Sequence, residues 1–241
     1  MIREAIDKIL SLAEPHIEEI NGRTYTDRTL TPINGELRAD HIQLNTLSSL
    51  IDYICIGANE RKPSVNYFVQ VVSPIEVRLL SGLDSDRKRE VLATVIAEVP
   101  RFNFGSFVAN EEFIIGVQSK FCDGDNDKSI ILQFAGNVKA GTVAEYGDTG
   151  VGQKATIKRG VASVQEVEVP SPCSLVPYRT FSEIQQPKSN FIFRVKDEER
   201  YGVTCALFEA DGGAWKIDAQ KKIKEFLKAR LEGVDDVFVI Q

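Results

Sequence analysis

The chain has 241 residues, 43% of them hydrophobic and 27% charged, enough to build a sizeable core in one domain or two closely packed subdomains. Its formal charge of −6 at pH 7 argues against a broad basic surface that follows a phosphate backbone, leaving room only for a local patch. Cys55, Cys122, Cys173 and Cys205 are widely separated, with neither the close pairs of a zinc site nor the density of a secreted disulfide scaffold, so all four read as reduced and most of them as packing residues.

Ile2, Ala5, Ile6, Ile9, Leu10 and Ala13 recur at helical spacing, which predicts an amphipathic helix that weakens near Pro15. The same stretch lacks the apolar core and cleavage site of a secretory signal, and no apolar run nears the roughly 18 residues of a membrane span; a cytoplasmic location without membrane insertion is expected. Residues 21–39 are polar, with two Asn-Gly pairs and a proline, and read as an extended arm or two-stranded flap that could contact another subunit. Asp40 is placed to cap a helix carrying Ile42, Leu47, Leu50, Ile51 and Ile54, with Gly57 at its end.

Two β-rich runs follow at 65–72 and 75–80, divided by Ser73-Pro74. Residues 86–98 predict a third helix with Val91, Leu92, Val95 and Ile96 inward, stopped by Pro100. Beyond it, the runs 113–121, 129–134, 137–145, 153–158 and 161–169 read as short strands, and the near-alternating Phe102, Phe104 and Phe107 as one buried strand face. Pro170, Pro172 and Pro177 make SPCSLVP an extended connection barred from the middle of a sheet. Strands resume at 190–195 and 203–208, a helix after Gly213 presents Trp215, Ile217, Ile223, Phe226, Leu227 and Leu231 to the core, and a strand at 236–240 closes the pattern.

The expected fold class is α+β: largely antiparallel sheets with an N-terminal helical part and a C-terminal helix packed on the sheet. Residues 1–100 would form a helix-rich part with the arm and a short β pair, and 101–241 a β-rich part with the last helix, or both one compact domain.

Chemistry is sparse. His16 and His41, the only histidines, both fall at expected helix positions in the N-terminal third, and no GxSxG elbow occurs, so histidine-based nucleophilic catalysis is disfavoured. Asp123, Asp125 and Asp127 resemble the start of a calcium loop, but glycine is missing at the sixth position and Phe134 stands at the twelfth; a solvated hairpin turn is expected and no metal. Gly147 to Lys154 fails as a Walker loop because Gln153 intervenes before Lys154 and Ala155 follows it; a glycine-assisted hairpin is the simpler reading. Asp211 with Gly212 and Gly213 could receive an anion at a helix start, although Asp211 as the cap and Trp215 as an anchor on the sheet account for the same residues. Glu111, Glu112, Glu209 and Asp211 are the least poor candidates for an all-carboxylate site. No catalytic residue and no cofactor is assigned.

One block carries a family resemblance. PYRTF at 177–181, FEADGGAWK at 208–216 and SPIEVRLLS at 73–81 are similar to segments of the YfdQ-like family of phage and prophage proteins, and the likeness covers most of the chain after about residue 65. It implies a phage or prophage setting in the cytoplasm of a bacterial host cell and transfers no activity. The reading that follows is a non-enzymatic accessory protein that self-assembles as a homo-oligomer, in a ring or shell, since the polar arm and the many strand edges need covering. The alternative is a nucleotide- or nucleic-acid-binding phage protein, a host-defence antagonist or recombination accessory. Its phosphate and base contacts would come from Lys154, Lys158, Arg159, Arg179 and Trp215.

Overall fold

The computed structural model describes residues 2–13, 15–27, 40–56, 65–84, 87–138, 147–148, 153–159, 163–198 and 202–241. They fall into two compact units, Met1–Ala39 and Asp40–Gln241. In the first unit, α1 (Ile2–Ala13) follows the apolar spacing, and β1 (Ile17–Ile20) pairs with β2 (Arg23–Thr26) as a hairpin. Its two-residue turn needs positive φ at both centres, which Asn21 at 54° and Gly22 at 72° supply. The expected arm therefore begins with a hairpin turn and strand; residues 28–39 lie outside the described residues.

The second unit runs β3 (Ile42–Leu44), α2 (Leu47–Cys55), β4 (Tyr67–Ser73), β5 (Glu76–Leu80), β6 (Val91–Ile96), β7 (Val108–Ala109), α3 (Asn110–Lys120), α4 (Lys128–Asn137), β8 (Gly147–Asp148), β9 (Gln153–Arg159), β10 (Ser163–Val169), β11 (Cys173–Leu175), β12 (Ser189–Glu198), β13 (Gly202–Glu209), α5 (Ala214–Arg230) and β14 (Val237–Ile240). A five-stranded sheet has the order β14-β4-β5-β6-β3, a four-stranded sheet β11-β12-β13-β7, and a three-stranded one β10-β9-β8. Pairing is antiparallel except where β14 joins β4 and β3 joins β6. The fold class is α+β, as the sequence predicts.

Two cores organise this unit. In the first, alternate residues of the five-stranded sheet, among them Tyr67, Val69, Val71, Val77, Leu79 and Val95, are buried with Leu47, Leu50 and Ile54 of α2 and Ile223 and Leu227 of α5. In the second, Phe191, Phe193, Cys205 and Leu207 of the four-stranded sheet are buried with Phe113 and Val117 of α3 and Ile131 and Phe134 of α4. The first core draws on residues from Leu47 to Val237, so it extends across residue 100.

Several elements differ from expectation, each because tertiary burial overrode a local pattern. Residues 113–120 and 129–134, read as parts of strands, belong to α3 and α4, while Phe121 is the extended cap after α3. Their buried positions, Phe113 with Val117 and Ile131 with Phe134 and Ala135, have the three- and four-residue spacing of a helix face. Conversely, the helix expected at 86–98 is β6 over Val91–Ile96, held between β5 and β3 with Leu92, Ala93 and Val95 buried. Of the strand expected at 137–145, residues 139–145 lie outside the described residues, as does Gly57. Ile42 lies in a strand rather than a helix, and the cap of α2 is Thr46, whose side chain accepts the Ser49 N–H at 3.1 Å, not Asp40. Phe102 and Phe104 sit outside any strand and pack with Phe113, Phe121 and Phe191, while Phe107 meets Phe208. Gly116 permits this, since a Cβ there would stand 3.1 Å from the Phe102 ring. On α5, Ile217 is 56% exposed instead of inward.

The two cap assignments separate cleanly. Thr46→Ala should lower stability by about 1 kcal/mol, read as an earlier urea midpoint, whereas Asp40→Ala should leave the midpoint unchanged.

Candidate functional site

The segments PYRTF and FEADGGAWK meet at one side chain, Arg179. The loop after β11 is kept irregular by Gln186, whose side-chain oxygen accepts the N–H groups of Arg179 (2.9 Å) and Thr180 (3.2 Å) while its amide donates to the Thr180 and Phe181 carbonyls. Successive residues then point different ways. Pro177 bridges to Phe121 of the second core, Tyr178 is exposed, Arg179 is buried, and Phe181 enters the first core. The loop thus ties both cores together.

At the other partner, β13 ends in Glu209 and leads through Asp211-Gly212-Gly213 into α5. Gly212 and Gly213 have φ of 62° and 81°, a left-handed pair that residues with a Cβ adopt only with strain. Asp211 accepts the Gly213 N–H at 3.0 Å, so it supports the helix start, although the capping position itself is Gly213.

The Arg179 guanidinium donates to Glu209 Oε1 at 3.0 Å, to the Pro187 carbonyl and to Ser189 Oγ, and the Ser189 hydroxyl in turn donates to Asp211 Oδ2 at 2.6 Å. The central carbon of the guanidinium lies over Trp215, 4.0 Å from the ring centroid, and 5.7 Å from that of Phe191. Burial pushes the Arg179 pKa down to about 10, against the pull of Glu209 and Asp211, so the group stays charged at neutral pH. For Asp211, burial disfavours the carboxylate, but the bonds from Ser189 and Gly213 and the Arg179 charge outweigh it and hold the pKa below 3.8. Arg179 Nε and Trp215 Nε1 are buried without a hydrogen-bond partner, two orphaned donors in one cluster. With one cation facing two carboxylates, the guanidinium is committed to the protein's own acceptors.

The structure therefore brings Arg179 and Trp215 together and joins them with Glu209 and Asp211; Trp215 is half-buried. Lys154, Lys158 and Arg159 lie on β9 of the three-stranded sheet, where the register sets Lys154 opposite Glu168 and Lys158 opposite Val164; their side chains are outside the described residues. Glu111 and Glu112 are exposed in the first turn of α3, which follows the β7 pairing of Ala109 with Thr204; Glu209 lies five residues further along β13, about 16 Å at strand rise. The four carboxylates thus do not share one site.

The Asp123–Asp127 segment joins two helices and is not a hairpin turn. Its cation is internal: Lys128 Nζ, nearly buried, donates to the Phe121 carbonyl (2.7 Å), Asp123 Oδ1 (2.8 Å) and the Gln118 carbonyl (3.1 Å). Asp127 Oδ2 accepts the Ser174 N–H at 2.6 Å. No group of three metal-ligating side chains occurs among the described residues. Cys173 and Cys205 are buried, and burial pushes both thiols up to about 12, which keeps them inert. No helix among the described residues is long and apolar enough to cross a membrane. Ser189, Gln186 and Lys128 escaped the sequence reading, because an isolated polar residue without a motif carries no local signal of the partner it will meet.

Arg179→Ala should destabilise the protein by at most about 3–5 kcal/mol, the figure for a fully buried pair, because the Glu209 side chain is 37% exposed; chemical denaturation reads it. Folding lowers the Asp211 pKa from 3.8, so its ionised form contributes stability above that pH that is lost as pH falls through the depressed value. Asp211→Asn should accordingly be less stable than the parent at neutral pH, with the gap closing in acid. No protein-family model, curated protein or solved structure matches this chain.

Proposed function

We propose that this chain is a non-enzymatic, self-assembling protein that works as a homo-oligomer. The observation that carries the reading is the uneven dressing of the five-stranded sheet. One face is buried under α2 and α5, while on the other the register lines up an apolar zone, Phe238 (46% exposed) with half-buried Phe68 and Leu80 across β14, β4 and β5, next to a row in which Ile240 (40% exposed) is followed by Gln70 and Arg78. The Phe68 and Phe238 rings stand 6.0 Å apart on neighbouring strands, so the zone is contiguous there. Exposed apolar zones of this kind mark association surfaces. A phage or prophage setting is supported by the likeness of the PYRTF, FEADGGAWK and SPIEVRLLS segments to YfdQ-like proteins. The commitment of Arg179 to Glu209, Asp211 and Ser189 favours a structural role for that cluster over phosphate binding.

The test is native mass by sedimentation equilibrium, with absorbance at 260 and 280 nm on the same sample. A mass of at least twice 26.8 kDa with a protein-like absorbance ratio is expected. A monomer at all accessible concentrations would overturn the reading, and a monomer carrying nucleotide would replace it with ligand binding.

A further inference from the structure

Among the described residues the five-stranded sheet ends on β14, and this edge lacks the devices that usually keep strands apart. Among the other sheet edges, β3 has three residues, β7 and β8 two each, β11 is flanked by Pro170, Pro172 and Pro177, and β10 carries Glu166 and Glu168. β14, with the sequence VFVI, contains no charge and no proline.

Its hydrogen-bonding direction follows from the register. Val237 is aligned with Tyr67 in the parallel pair with β4, and the Tyr67 N–H donates to the Asp236 carbonyl at 2.7 Å. In a parallel ladder the groups that face the neighbour then belong to alternate residues, so Phe238 and Ile240 turn their N–H and C=O to β4. Val239 turns both of its groups to the open edge. Val237 has its carbonyl there too, but its N–H is engaged by the Val234 carbonyl at 3.4 Å.

We propose that β14 pairs antiparallel with β14 of a second copy, about a two-fold axis through Val239, so that two five-stranded sheets become one continuous sheet. This rests on the self-assembly reading and names its interface. The two Val239 residues exchange both N–H···O=C bonds as a hydrogen-bonded pair on the axis, so both outward groups of Val239 are used. Phe238 of each copy then stands opposite Ile240 of the other, on the same face, and Val237 opposite Gln241. The apolar pairs are self-complementary, as a two-fold interface requires, and Asp235 and Asp236 lie beyond the paired core. In each copy the Phe68 ring stands beside Phe238 under the Arg89 guanidinium, 4.8 Å from its centroid, so the paired strands are flanked by apolar rings with a cation above them.

Two variants of the full chain test this beside the parent. Val239→Pro deletes an edge N–H that β4 does not use, and edge strands tolerate proline at such a position. Phe238→Lys puts a charge opposite Ile240 of the second copy and leaves the buried sheet face intact. Each should weaken self-association about tenfold or more in sedimentation equilibrium, with circular dichroism and cooperative unfolding retained. The Val239 amide of the parent should exchange with deuterium more slowly as protein concentration rises. A parent that assembles while Phe238→Lys keeps the parental mass and the Val239 amide exchanges independently of concentration would overturn the β14 interface and leave self-assembly standing. A monomeric parent would remove both. If Val239→Pro fails to fold, Phe238→Lys and the exchange rates decide alone.

Discussion

Burying a guanidinium requires that its charge be met inside the protein, and this chain does so at Arg179 with groups from three separate segments that engage both terminal nitrogens and leave only Nε without a partner. Glu209 comes from the end of β13, Ser189 from the start of β12, and Trp215 from the first turn of α5. Removing a charge from water costs several kcal/mol, so the loop, the strands and the helix must all be in place before the cost is offset. That requirement couples the Gln186-clamped loop to the helix start and, through Phe181 on one side and Pro177 on the other, links the two cores. It also explains why two short segments some thirty residues apart in sequence make sense together: PYRTF supplies the cation, and FEADGGAWK supplies Glu209, Asp211 and Trp215 around it. The paired glycines before α5 belong to the same arrangement, since they let the chain reverse within the reach of Asp211.

Elsewhere the protein handles charge by the same internal means. Lys128 sits where the acidic Asp123–Asp127 loop and the carbonyl end of α3 converge, supplying a cation from the chain itself. A helix C-terminus attracts positive charge, and an ammonium with three oxygen partners satisfies it without an external ion. The two buried cations, Arg179 and Lys128, are thus each used to join segments.

The sheets show the opposite economy. Most edges are very short, flanked by proline or charged, while β14 is apolar, unbroken and directed outward. An edge in that condition favours a partner strand, and the alternation that buries Val237 exposes Phe238 and Ile240 on the other face. The helix-covered face and the open face are consequences of a single period-two pattern.

Much of the chain was legible from local signals. The Asn21-Gly22 turn, though not the strand Ile17–Ile20 before it, the helix stripe of α1, the paired runs of β4 and β5, the long strands β12 and β13 and the glycine-started α5 each rest on periodicity or turn chemistry within a few residues, and the α+β class followed from them. The tertiary structure decided the rest, because the competing patterns were degenerate. Phe113 with Val117, or Val91 with Val95, satisfies a helix face and a strand run about equally well, and only the partner surface chooses. The same holds for function: Arg179, Glu209, Asp211 and Trp215 were each visible as residues able to carry charge or stack, but a single chain cannot announce that they converge. Which sheet face stays open and which backbone groups of β14 point outward are properties of strand order and register, quantities that exist only once distant segments have paired.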